Sequence, residues 1–285
     1  VLFDLIFLHR MNPVVRPFFE WQETGSFWVD AANANDLPVI REMIKRQEGA
    51  ESVEVFDFWA KHPAAQIWVW RDGAKQANAF VLKINSHELS TDKKPADPVM
   101  QKVLDYQARN LHLRQGEQAV VFRMWMANDT HQQVSPLQSN IFLTIVQYYF
   151  TPGLAVSFIQ VVQPEFWKGV FSYGDLHHVP ELDHLINDVP FGFYMHDWRM
   201  RPPLAWLDLM GKREVGMASE LTMEAQQMQV VVLSETEFSE SVTEALRHFH
   251  NNNQLIQNPL IRSKFIVHRT GTDTSDGERI GALKD

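Results

Sequence analysis

Two segments of this chain, Ala119–Met126 and Ala155–Val162, are near-continuous apolar runs bounded by turn signals. A strand with one wet face alternates apolar and polar residues. An unbroken run of this length belongs to a strand covered on both faces. The two runs are therefore expected as neighbouring buried strands of a central sheet. Between them lies the most apolar helical pattern in the chain. Ser135-Pro136 opens it, and Ser135 with Gln138 matches a capping box. Leu137, Ile141, Ile145 and Tyr149 recur at helical spacing as its buried stripe, and Pro152-Gly153 ends it.

The flanking segments have their own punctuation. Phe27–Ala31 is strand-like, and Asn35-Asp36 opens a helix with Leu37, Ile40, Met43 and Ile44 on one face. Gly49 is its expected stop. A second helix runs from Ser52 to Lys61, where His62-Pro63 ends it. Ile67–Trp70 and Ala79–Ile84 read as two strands around a turn at Asp72-Gly73. Asp97-Pro98 makes a good cap and first residue for a helix to about Arg109. A short helix from Glu165 to Phe171 and a strand at Phe191–Met195 follow the second apolar run. Pro202-Pro203 begins a helix expected to reach Leu209. Three stretches are expected: residues 1–25 as a connector from an upstream domain, 26–215 as the main domain, and 216–285 as a C-terminal helical segment with a polar tail. In the last, Glu235–Phe249 is expected as a capped amphipathic helix, Asn258-Pro259 opens a short one, and the residues from Gly271 are expected to be loose.

Composition excludes several function classes. At 285 residues and 45% hydrophobic, with 9 Trp and 19 Phe, the chain can build one large aromatic core. A net charge of −9 argues against direct nucleic-acid binding, which needs a basic excess. The absence of cysteine excludes disulfides, zinc thiolates and cysteine nucleophiles. The apolar start, Val1–Leu8, is too short to span a bilayer and is interrupted by Asp4, so no membrane association is expected. It also lacks a basic leader and a cleavage site, which leaves a cytoplasmic location as the expectation. The chain opens on Val1 and reads as a piece of something longer.

The order strand, two helices, two strands, helix, strand, helix, strand, helix, strand resembles the GNAT fold of acyl-CoA N-acyltransferases. It implies an α/β architecture, a GNAT-like mixed central sheet flanked by helices, with a small C-terminal helical unit. Leu8–Pro13, Gly116-Glu117 before Val121–Arg123, Ser135–Gln138, His196–Arg199 and Asn258–Arg262 further resemble large bacterial multidomain ATP-binding proteins. That resemblance implies a P-loop ATPase before the GNAT-like module and a helix-turn-helix-like segment after it. The upstream ATPase domain would then be a partner, as would a second copy in a homo-oligomer. The chain holds no G-x-x-x-x-G-K-[ST], so no ATP hydrolysis is expected from it.

The GNAT resemblance also places a site. Backbone amides of the turn after the fourth strand would take the pyrophosphate of acetyl-CoA or another acyl-CoA, aided by the helix N-terminus. The V-shaped gap between the two central strands would hold the pantetheine arm. The residues in line for this are Met126, Asn128, Thr130, Gln133 and Ser135. Yet Asn128–Ser135 contains no glycine, Pro136 removes a donor, and Asp129 adds negative charge. Glu117 and Tyr173 stand where a proton acceptor and a proton donor would act. A non-catalytic ligand-sensing or interaction module, with no cofactor, is the leading expectation. An active N-acyltransferase with a divergent loop and an architectural or dimerisation domain are the alternatives; in the last, the gap would be plugged by Trp or Phe. His177-His178, His184 and His196-Asp197 lie within about twenty residues, but adjacent strand histidines face opposite ways, so they read as solvated or structural rather than as metal ligands. His196–Arg199 reads as an ion-paired clamp on Trp198 and Trp206.

Overall fold

The structure, a computed structural model, describes residues 12–20, 27–73, 75–89, 95–227, 230–232, 268–270 and 279–283. By its internal contacts the chain divides into two compact units, Val1–Lys212 and Arg213–Asp285.

The first unit carries an eight-stranded sheet. Its strands are β1 (Trp28–Ala31), β2 (Ala65–Arg71), β3 (Ala77–Asn85), β4 (Gln118–Ala127), β5 (Leu154–Val162), β6 (His177–His178), β7 (His184–Ile186) and β8 (Val189–Asp197). The order is β1-β2-β3-β4-β5-β8-β6, with β7 also paired to β8. The two apolar runs are neighbours, as their composition requires, and β4–β5 is a parallel pair. The other pairs of this sheet are antiparallel. This is a mixed sheet in the element order read from the sequence, except that two short strands, β6 and β7, come before β8.

Six helices are described: α1 (Asp36–Glu48), α2 (Ala50–Trp59), α3 (Pro98–Asn110), α4 (Pro136–Tyr148), α5 (Pro164–Tyr173) and α6 (Pro203–Gln227). One buried cluster joins Ile40, Phe56, Trp59 and Met100 of α1–α3 to Phe80, Val121 and Phe158 on one face of the sheet. A second joins Ile141, Phe142, Trp167 and Phe171 of α4 and α5, with Trp206 and Met210 of α6, to Phe122, Trp125 and Ile159 on the other. Covering on both faces is the physical reason β4 and β5 carry no alternation. Asp97 caps α3 as expected, its side chain accepting from the amides of Val99 and Met100. Half of the Ser135–Gln138 capping box is present: Ser135 Oγ accepts from the Gln138 amide at 3.1 Å. Gly49 ends α1 at φ +89°, and a Cβ there would come within 2.4 Å of the Asn187 side chain. Asn187 in turn donates to the Glu48 carbonyl, tying the β7–β8 hairpin to the α1–α2 corner.

Two expectations are corrected. The helix from Pro203 does not stop at Leu209 but runs through Gly211 and Gly216 to Gln227. A glycine inside a helix costs only about 1 kcal/mol, too little to end one that is otherwise favourable. The tail from Gly271 contains a strand, β11 (Arg279–Leu283). It pairs antiparallel with β9 (Val230–Val232) and β10 (His268–Thr270). The Val-Val-Val and Arg-Ile-Gly-Ala-Leu segments supply the apolar and β-branched residues a strand favours. The expected helices at Glu235–Phe249 and Asn258 lie outside the described residues.

The N-terminal residues 12–20, read as connector, lie along α4 and α5. Phe18 meets Trp167 with ring centroids 5.8 Å apart, and Phe19 meets Phe142 at 5.7 Å. The Glu20 amide donates to Ser139 Oγ in the first turn of α4.

Candidate functional site

The parallel pairing of β4 and β5 runs from Gln118–Leu154 to Phe122–Ile159 and stops there. Beyond it β4 continues along β3, and β5 continues along β8. The two central strands therefore diverge, forming the V that the GNAT resemblance implies. A bulge marks the branch point. The β3–β4 ladder steps from Leu82–Met124 to Lys83–Phe122, leaving Arg123 outside the register.

Diverging strands leave backbone donors and acceptors without ladder partners, and such groups must be satisfied when buried. Here the chain's own side chains satisfy them. Gln132 donates from Nε2 to the Trp125 carbonyl at 3.2 Å and accepts the Val162 amide on Oε1 at 2.7 Å. Its one carboxamide spans the opening from β4 to β5. The Trp125 indole donates to the Gln160 carbonyl at 2.7 Å. Trp125, Phe142 and Trp167 then pack as a triangle, with centroids 5.2, 5.4 and 5.9 Å apart. That triangle fills the space between the V and helices α4 and α5.

Arg123 points the other way, to the α3 side. It donates to Asp97 from Nε at 2.8 Å and from a terminal nitrogen at 3.1 Å, and to Gln160 Oε1 at 2.6 Å. Trp59 Nε1 donates to the same carboxylate at 2.9 Å. Burial by itself would raise the Asp97 carboxyl. The Arg123 charge and its hydrogen bonds, with those from Trp59 and Met100, outweigh burial and hold it below the usual carboxylate value.

The turn after β4 closes on itself. Ala127 and His131 exchange both backbone hydrogen bonds, at 2.8 and 3.0 Å. The Asn128 amide donates to the Asn78 carbonyl and the Gln133 amide to the Thr130 carbonyl. His131 takes the positive φ of 53° that the turn needs, where a glycine was missing from the sequence. Its ring meets the buried carboxylate of Glu48 at 3.2 Å. Arg46 reaches from α1 to the Asn128 carbonyl and to its Oδ1.

Each residue expected in the site can now be placed. Met126 is fully buried in the α1–α3 core. Asn128 is held by Arg46, and its side-chain Nδ2 donates to the Asp129 carboxylate. Thr130 Oγ1 donates to Ser135 Oγ, which itself caps α4. Gln133 is exposed. Glu117 lies at the opposite end of β4, where it pairs with Arg199 at 3.3 Å and accepts the Arg114 amide. At about 3.3 Å per residue, eleven positions of strand set it roughly 30 Å or more from Asn128. The Tyr173 hydroxyl accepts from Asn12 Nδ2 at 3.1 Å. The structure thus keeps Glu117 away from the expected cofactor residues and gives Tyr173 a partner of its own. Glu117 instead joins the clamp. Asp197 grips Arg199 at 2.6 and 2.8 Å, while His196 packs tilted against Trp198 and Trp198 packs on Trp206. Among the described residues no group of three His, Asp or Glu side chains converges as a metal site. None of the described helices is long and apolar enough to cross a membrane.

Three amides of the turn, those of Asn128, His131 and Gln133, donate to backbone carbonyls. Gln132, Trp125 and the Asp97–Arg123 pair were not singled out from sequence. The nearest signal was the lone Arg inside an apolar strand run, which requires a buried counter-charge.

No protein-family model matches this chain, and no curated protein matches its sequence. Among solved structures it is similar to NAA60 of Arabidopsis thaliana in complex with acetyl-CoA, at 11% identity and a TM-score of 0.43, over 61% of this chain and 99% of that one. It is similar to FeeM, an N-acyl amino acid synthase from uncultured soil microbes, at 13% identity and 0.44, over 63% and 96%. It is also similar to spermidine N-acetyltransferase of Vibrio cholerae, at 14% identity and 0.37, over 62% and 98%.

Proposed function

We propose that this chain is a GNAT-like module without acyltransferase activity, serving as a sensing or interaction domain of a larger, cytoplasmic bacterial ATP-binding regulator. The observation that carries the non-catalytic half is the bridge of Gln132 across the β4–β5 opening. Opening the V would break both hydrogen bonds of the Gln132 carboxamide to the backbone, and the Trp125–Phe142–Trp167 triangle would still block the arm. The turn adds to the same reading: its Asn128, His131 and Gln133 amides serve its own fold, and Asp129 would repel a pyrophosphate. The regulatory half rests on the sequence phrases shared with multidomain ATP-binding proteins, in which an upstream ATPase domain would be the partner.

Calorimetry with acetyl-CoA tests the reading. The expected result is no saturable heat. A dissociation constant of about 10 μM or tighter, roughly −7 kcal/mol, would overturn it in favour of a divergent acyltransferase.

A further inference from the structure

On the α4–α5 face of the sheet, beside the aromatic triangle, lies a cavity of about 110 Å³ that is partly open to solvent. Its short walls are Val15, Val146 and Val170, and its large ones include Phe142, Trp167 and Met210. The valines are too short to close it. The rings are braced by one another and cannot collapse into it. Phe142 meets Trp167 with centroids 5.4 Å apart, Trp167 meets Phe171 at 5.7 Å, and Phe171 stacks on Tyr194 at 4.6 Å. Walls that cannot relax forfeit carbon contacts that a guest would restore. The space is also preformed, so a guest meets little reorganisation cost. Val146 and Val170 are half-buried and mark its open side.

The chemistry of a fitting ligand follows from what these walls withhold. The Tyr149 hydroxyl bonds Ser157, the Tyr173 hydroxyl accepts from Asn12 at 3.1 Å, and the Trp206 indole donates to the Gly174 carbonyl at 2.7 Å. The Trp167 indole nitrogen is buried in the protein and offers a guest nothing. The surface shown to a ligand is therefore almost wholly carbon. Among the described residues no charged side chain lines the cavity, so a charged ligand would lose its hydration with no counter-charge. A buried hydroxyl would likewise go without a partner. An enclosed apolar cavity of roughly 150 Å³ holds benzene. This one is smaller but open on one side, which sets the scale at one small ring. We propose that this cavity binds a small uncharged monocyclic hydrocarbon, held by carbon contacts alone. The proposal stands apart from the β4–β5 opening and does not depend on whether acyl-CoA binds there.

The test uses the whole chain, labelled with ¹³C at the methionine methyl groups, and two probes of equal shape. Toluene carries a methyl group where phenol carries a hydroxyl. Toluene is expected to move the Met210 methyl resonance saturably, that resonance being assigned by its loss in Met210→Leu. Phenol is expected to bind at least about fivefold more weakly, because its hydroxyl gives up water without gaining a partner. Val146→Phe fills the cavity and should abolish toluene binding while keeping the circular dichroism of a folded chain. Should Val146→Phe fail to fold, Val170→Phe fills the same space from α5 and carries the same expectation. No saturable shift up to the solubility limit of toluene, phenol affinity equal to or above that of toluene, or unchanged toluene binding in a folded filled variant would each overturn the proposal.

Discussion

The side-chain oxygen of Gln132 accepts the backbone amide of Val162 at 2.7 Å, thirty positions along the chain. With its nitrogen on the Trp125 carbonyl, the same carboxamide closes the gap between the central strands. The strands of the V are therefore joined by a side chain.

Gln132→Ala should cost about 1–3 kcal/mol, because it strands a buried N–H and a buried carbonyl. The urea midpoint should fall with no change in m-value. A midpoint equal to the parent's would mean that the carboxamide contributes nothing across the opening.

Breaking the Asp97–Arg123 pair should be more severe. Asp97→Asn should lower stability at pH 7 by about 3–5 kcal/mol, since it leaves the Arg123 charge buried without its partner. The pH dependence is a second signature. The folded carboxyl lies below its ordinary value of 3.8, so the unfolded chain takes up this proton first as pH falls. Its contribution is full above about pH 4 and is lost as pH drops through the folded value. Denaturation from pH 5 to pH 2 should show a flatter decline in Asp97→Asn than in the parent. Asp36, lowered by its hydrogen bonds to Arg71, keeps part of the slope in both.

Lys83 gives the same sign of pH dependence for a different reason, burial of its charged form. Its ammonium donates to the Tyr148 hydroxyl at 3.0 Å and sits 4.3 Å from that ring's centre. Burial pushes it down to about 8 from 10.5. Between those values the unfolded chain binds the proton and the folded chain releases it, so stability rises with pH. The slope cannot exceed about 1.36 kcal/mol per pH unit for one group. Chemical unfolding from pH 8 to 9.5 should show this rise in the parent and not in Lys83→Met. Equal slopes would place the Lys83 ammonium in a better-solvated setting than the structure gives it.

Glu117→Gln should change stability by about 1 kcal/mol or less, because its pair with Arg199 is partly exposed and Asp197 still holds the arginine. Thermal melts of the two proteins, compared at low and high salt, measure this. A loss well above that range would make Glu117 a keystone of the clamp.

Much of the fold could be read along the chain. Asp97-Pro98 announced α3, Ser135-Pro136 announced α4, and the two apolar runs announced β4 and β5. The site was less legible. The turn at Asn128–Ser135 is legible in the sequence, but not that Gln132, rather than its neighbour Gln133, bridges the strands. Adjacent glutamines look alike in sequence, and only the path of the turn decides which one faces inward. His131 likewise shows nothing in sequence of the positive φ it adopts.

The order of elements and their caps came from interactions within a dozen residues: helical spacing, N-cap side chains, proline and glycine at the ends. Such signals are written locally, so one sequence suffices to read them. What fills the V was settled by groups far apart in the chain. Asp97 and Arg123 are 26 positions apart, Trp125 and Gln160 are 35 apart, and Gln132 and Val162 are 30 apart. These pairings exist only once the sheet has brought β4, β5 and the turn together. Their physical cause is the need of buried polar groups for partners, a need that local sequence creates but tertiary packing alone can meet.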